Sequence, residues 1–171
     1  MLPIFENQRK MEIVHKLISL VDNTRTFQNL LAQGAINGLR EFSKDENMNT
    51  NDVDKIASFL IEKTGDKNEY YIRSTATSAL GKFLVTKNDK TNQRVFDCLK
   101  KLLKDKRQRV KINASTALAD PDTKLSSLNA RVIDSINEMI WVAGHDLDGF
   151  VRRATEDSMN FIREWIKEWA D

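Results

Sequence analysis

Few residues in this chain could do chemistry, and their spacing argues against most of what they could do. There are two histidines, His15 and His145. The second opens the run His145-Asp146-Leu147-Asp148-Gly149, which gathers an imidazole and two carboxylates, the ligand types of a metal site. A zinc site takes three or four ligands, and neither a His-x-x-x-His pair nor a cysteine pair is present. Asp-rich turns also open helices, and that reading is preferred here. His15 stands near Glu12 with no further ligand beside it. The single cysteine, Cys98, lies among Val95, Phe96 and Leu99 and reads as a small buried hydrophobe. Alone it closes no internal disulfide, so nothing points to an oxidising compartment. No Gly-x-Ser-x-Gly turn and no phosphate-cradling glycine loop occurs. Neither catalysis nor a metal or other cofactor is expected of this chain.

Charge offers one more candidate. Between Lys100 and Lys111, seven basic residues, among them Lys104, Arg107, Arg109 and Lys111, are opposed by Asp105 alone. A patch for phosphate, nucleic acid or an acidic partner is one reading. The solvated face of a helix and its turn is the preferred one. No aromatic residue is interleaved to stack on bases, so a single-strand binder is not expected. The whole chain carries 27 Lys and Arg against 25 Asp and Glu, which excludes a nucleic-acid binder that works by bulk charge. Near the end, Ile162, Trp165, Ile166 and Trp169 form a helical stripe. Trp165 reads as core. Trp169 is the better candidate for a partner contact, because Trp anchors interfaces.

The elements that hold these residues repeat. In residues 69–81, Ile72, Ala76, Ala79 and Leu80 fall on one stripe of a helix. Residues 30–40, 109–119 and 150–160 align with it through Leu31, Val110 and Val151. Four residues after these anchors stand Ala35, Ala76, Ala114 and Thr155; seven after, Gly38, Ala79, Ala117 and Ser158. All of these are compact. Eight after stand the larger Leu39, Leu80, Leu118 and Met159. The anchors are 41, 38 and 41 residues apart. A period near 40 with two helices per unit predicts an all-α chain, an α-α superhelix of four helix pairs. The first helices of the pairs are expected at 8–21, 52–63, 92–104 and 128–142. Asn51 or Asp52 is the expected cap of the second of these, and Thr91 or Asn92 of the third. Met11, Val14, Leu17, Ile18 and Val21 should face the core in the first of them, and Leu128, Val132, Ile136, Met139 and Ile140 in the last. Pro121 should end the third unit. The units run approximately over 8–45, 51–88, 91–121 and 128–169, in a single domain.

A helix pair, an Asp-containing turn, a Val-Arg-like dipeptide, a small residue and Ala-Leu together resemble the HEAT repeat. The basic residue after the anchor is Arg73, Lys111 and Arg152, with Ala32 departing from the pattern in the first unit. The resemblance implies that these residues tie neighbouring units through acidic turn residues; direct contact with a ligand on the concave surface is the alternative. A narrower resemblance rests on Thr26-Phe27-Gln28, Ala32–Leu39 and Asp146–Ala154. These segments are similar to the C-terminal HEAT-like domain of zinc-dependent alanyl aminopeptidases. That likeness implies a non-catalytic domain that shapes or closes the peptide-access chamber, with the zinc and the His-Glu-x-x-His motif in a missing part of the polypeptide. The partner is then the parent's catalytic domain. The rival expectation is a free-standing scaffold that binds a protein or acidic partner on its concave face.

No stretch approaches the roughly 20 apolar residues that span a bilayer, and the first residues lack the order of a signal peptide. A cytoplasmic location is expected.

Overall fold

A computed structural model describes residues 2–23, 29–119 and 130–170. Within them lie eight α-helices and no strand: α1 Leu2–Asp22, α2 Asn29–Glu41, α3 Thr50–Lys63, α4 Tyr70–Leu80, α5 Asp89–Leu102, α6 Gln108–Leu118, α7 Ala130–His145 and α8 Gly149–Ala170. Short 3-10 turns at Phe42–Lys44 and Gly81–Phe83 extend α2 and α4. Each odd-numbered helix packs on the even-numbered helix that follows it, and the four pairs stack in chain order.

The expected stripe builds the stack. Ala35, Ala76, Ala114 and Thr155 are buried, as are Leu39, Leu80, Leu118 and Met159. From the odd helices Val14, Val53, Ile56, Val95, Leu99 and Met139 complete the core. The even helices lie closer to one another than the odd helices do, because compact residues line their flanks. The end of α4 meets α6 closely. A Cβ on Gly81 would stand 3.1 Å from Ala117 Cα and 3.2 Å from its carbonyl oxygen. A stack in which one layer is packed more closely curves toward that layer. The even helices therefore form the inner, concave side.

Three expectations are corrected. Leu31, the first unit's anchor, is half-exposed, whereas Ile72, Val110 and Val151 are buried. Val110 shares a flank with Asn113, which donates to the Ser74 carbonyl of the preceding unit, and with Ala117, which meets Gly81. The anchor position thus faces the unit before it, and α2 has no described helix pair before it. Ile140 is exposed, and Val142 and Ala143 join Met139 in the core instead. Each predicted cap comes too late. Asn49 caps α3, its Oδ1 accepting from Asp52 N–H at 2.9 Å. Asn88 caps α5, accepting from Lys90 N–H at 3.0 Å. Thr91 and Asn92 instead turn inward: Thr91 donates to Asp54 Oδ1 at 2.6 Å, while Asn92 Oδ1 accepts from Thr86 N–H at 2.8 Å. Pro121, Leu128 and Thr26–Gln28 lie outside the described residues, as do the side chains of Val132, Trp165, Ile166 and Trp169.

Candidate functional site

The basic residue after each anchor sits on the even helix where it reaches the turn of the following unit. Arg73 is only 3% exposed, which removes it from the candidates for partner contact. Its guanidinium pairs with Asp105 in the next unit's turn and, at 2.9 Å, with Asp66 in its own. Its Nε donates to the Thr64 carbonyl at 3.1 Å. Lys111 repeats the arrangement one unit later, its ammonium pairing with Asp146, and it too is withdrawn as a partner contact. Each aspartate also organises its turn: Asp105 accepts from Arg107 N–H at 2.8 Å, and Asp146 from Asp148 N–H at 2.9 Å. Burial pushes the Asp146 carboxyl up. The Lys111 hydrogen bond, the Asp148 N–H and the charges of Lys111 and Arg152 outweigh it and hold the group below 3.8. Arg152 makes only the own-turn half of the tie, donating to the Asp146 carbonyl at 2.7 Å. No carboxylate pairs with it among the described residues.

The basic run of α5 is largely engaged within the stack. Lys100 pairs with Asp134 at 2.6 Å, and its hydrogen bond to that carboxylate raises it above 10.5. Lys104 pairs with Glu138 and lies 5.0 Å from the centre of the Trp141 ring. A dense cationic patch is therefore not what the fold presents, because α7 brings carboxylates against it. Arg107 is exposed and stands 5.9 Å from the Tyr70 ring centre. Arg109 is exposed and has no ion-pair partner among the described residues.

The Asp-rich turn is architectural. Asp148 Oδ1 accepts from Phe150 N–H at 2.8 Å and so opens α8, and His145 stacks on Trp141 at 5.1 Å while its Nδ1 lies 2.8 Å from the Trp141 carbonyl oxygen. Among the described residues no three His, Cys, Asp or Glu side chains converge as metal ligands. Cys98 is partly buried, and that burial raises the pKa of its thiol, which lies 3.5 Å from Thr64 Oγ1.

The surface that remains is the inner face, and it is ordered in rows. One row takes the residue before each anchor: Leu30 at 85% exposure, Tyr71 at 52%, Arg109, and Phe150 at 75%. A second takes the seventh residue after it: Asn37, Ser78, Thr116 and Asp157, all exposed. Between them run Gly34, Thr75, Asn113 and Ala154, with only open space above Gly34. Leu147, fully exposed in the α7–α8 turn, extends the apolar character of the first row. These residues were not singled out in the sequence, although the repeat register that fixes the anchors also fixes the row before them. On the opposite edge a cleft of about 210 Å³ lies between the loops at 43–50 and 85–88. There Asp45 pairs with Lys10 at 2.8 Å, and Lys87 donates to the Glu46 carbonyl at 3.2 Å.

No family model and no curated protein matches the sequence. Solved structures do match the fold. A structural-genomics structure described as an engineered protein has a TM-score of 0.55 at 18% identity over 87% of this chain. A designed armadillo repeat protein, YIII(Dq)4CqI, has a TM-score of 0.52 at 15% identity over 85%. The chain is a helical-repeat solenoid. Computationally designed armadillo repeat proteins for modular peptide recognition also align over 85% of the chain at 18% identity, with a TM-score of 0.48. The solenoid spans 62% of the length of each of these chains. Such likeness concerns the fold and leaves its surface to be read from its own residues. No helix of the described residues is long and apolar enough to cross a membrane.

Proposed function

We propose that this solenoid is a non-catalytic scaffold that binds a protein segment, in extended form, across its inner face. One observation carries the reading: the even helices, whose flanks and core sides are filled by packing, keep an unbroken surface of exposed, chemically varied side chains across all four units. Large exposed apolar groups such as Leu30, Tyr71 and Phe150 cost solubility and mark contact surfaces when they lie in register. A helical-repeat fold, shared with designed armadillo proteins, suits such binding, because each unit adds a stretch of the same groove.

The test is a selection. A phage-displayed peptide library is panned on the wild-type chain and screened against Ser78→Arg/Thr116→Arg, which blocks the middle of the inner face from exposed positions. Selected peptides should lose affinity by about tenfold or more, a typical cost of obstructing an interface centre. Peptides that bind both proteins equally, or a selection that yields none, would refute the reading. Zinc added to the purified chain should elicit no aminopeptidase turnover.

A second reading makes the chain the chamber-closing domain of a larger zinc aminopeptidase, with its catalytic domain as partner. It is favoured by the similarity of Asp146–Ala154, but the structure gives Asp146, Asp148 and Arg152 in that segment architectural contacts. The reading frame upstream of Met1 tests it: continuation into a His-Glu-x-x-His helix supports the domain reading, and an in-frame stop excludes it.

A further inference from the structure

Resting on the scaffold reading, we infer that the inner face selects an acidic-apolar segment: one carboxylate flanked on each side, three residues away, by a large apolar residue. The row before the anchors sets this order. Tyr71, Arg109 and Phe150 are consecutive members, on α4, α6 and α8, so a cation stands between two exposed aromatic rings. Arg109 has no carboxylate partner among the described residues, and neither has the exposed Arg107 two residues before it, whereas Arg73, Lys106 and Lys111 are each paired. An occupant that supplies a carboxylate there gains an ion pair the fold has left open. Glu69, two residues before Tyr71 and without a cation partner among the described residues, repels a carboxylate placed over α4. Asp148, which holds the opening amides of α8, repels one placed over Phe150. The exposed Arg107 beside Arg109 adds to the attraction for an acid at the middle unit.

Spacing fixes the rest. Packed helices lie roughly 8–10 Å apart. A polyproline-II segment returns to the same face every three residues, after about 9.3 Å, so its first, fourth and seventh side chains meet Tyr71, Arg109 and Phe150 in turn. A β-strand at about 3.3 Å per residue alternates faces and would bring its fourth side chain round to the wrong side. The order apolar-acid-apolar is symmetric, so it fits either chain direction.

The probe is a fluorescein-labelled Leu-Pro-Pro-Glu-Pro-Pro-Leu peptide, titrated into the full chain by fluorescence anisotropy. Wild type should bind it, and bind a version with Glu replaced by Lys at least about tenfold more weakly. Arg109→Glu, a change at an exposed position that leaves the packing intact, should invert that preference. Moving the Glu one place toward either end should weaken binding to wild type. Failure of wild type to bind, or equal binding of the Glu and Lys peptides by both proteins, would overturn the inference. The library selection separates this failure from failure of the scaffold reading: binders that are lost in Ser78→Arg/Thr116→Arg but lack an acid at the fourth position would keep the scaffold and discard the acidic motif.

Discussion

Removing the Arg73 guanidinium is the sharpest probe of what holds the units together. Arg73→Met keeps most of the apolar stem and deletes the charge. It leaves Asp105, whose side chain is 7% exposed, as a buried carboxylate without its cation. Breaking such a pair from one side costs about 3–5 kcal/mol. Loss of the Nε bond to the Thr64 carbonyl adds about 1 kcal/mol. Against this, Asp105 keeps the Arg107 N–H, and the lost contact to Asp66, which is 70% exposed, is worth little. The net expectation is a loss of about 3 kcal/mol, or about 6–12 °C in Tm for a chain of this size.

Urea unfolding should be followed by two signals. All three tryptophans, Trp141, Trp165 and Trp169, belong to the last unit, so fluorescence reports that unit whereas circular dichroism reports every helix. In Arg73→Met the dichroism midpoint should fall, with fluorescence lagging behind it, because units touch only their neighbours. Asp105→Asn added to Arg73→Met removes the stranded charge and should recover all but about 1 kcal/mol. A loss below about 1 kcal/mol in the single variant, with the two signals coincident, would refute the inter-unit tie as a stabilising feature.

Other perturbations test the packing and the ionisation. Gly34→Ala meets open space inside a helix and should stabilise by about 0.5–1 kcal/mol, whereas Gly81→Ala drives a methyl against the Ala117 backbone and should destabilise by about 1–3 kcal/mol; thermal melts distinguish the signs. Ala76→Arg, at a fully buried site, should cost more than about 4 kcal/mol or prevent folding, and a wild-type melt would show that the stripe faces solvent. Asp45, through its hydrogen bond from Lys10, and Asp146 are held below their ordinary pKa in the folded chain. Their contribution is therefore complete above about pH 4 and is lost as pH falls through the folded values. Urea midpoints taken from about pH 5 to pH 2 should drop, and Asp146→Asn should flatten part of that drop. An unchanged slope in the variant would place the acid sensitivity elsewhere.

The stack was legible in the sequence because packing imposes one demand at every unit. Ala76 and Ala114 occupy equivalent buried positions, and Arg73 and Lys111 make equivalent ties, so the residue types recur and the period shows. What escaped was set by contacts between distant residues. Thr91 and Asn92 have capping side chains, yet Asp54 and Thr86 engage them and Asn88 takes the cap. The basic run of α5 reads as a solvated face rather than as a set of ties between units, because Asp134 and Glu138, which answer it, lie more than thirty residues further on. Leu31 matched the anchor by type, but the flank it occupies is buried only where another unit precedes it.

That contrast also says where function is written. At the positions fixed by packing, neighbouring units carry interchangeable residues: Ala76 for Ala114, Leu80 for Leu118, Arg73 for Lys111. In the row before the anchors they carry Leu30, Tyr71, Arg109 and Phe150: an aliphatic group, two aromatic rings and a cation. Nothing inside the fold requires this difference, since all four are exposed and the helices beneath them pack alike. A surface that merely faced water would be met by any polar residue, and three large apolar groups are a poor answer to water. An extended partner, in contrast, presents a different side chain to each unit it crosses. The variation along this row then follows the partner's own sequence, and Arg109 marks the place where that sequence changes from apolar to acidic.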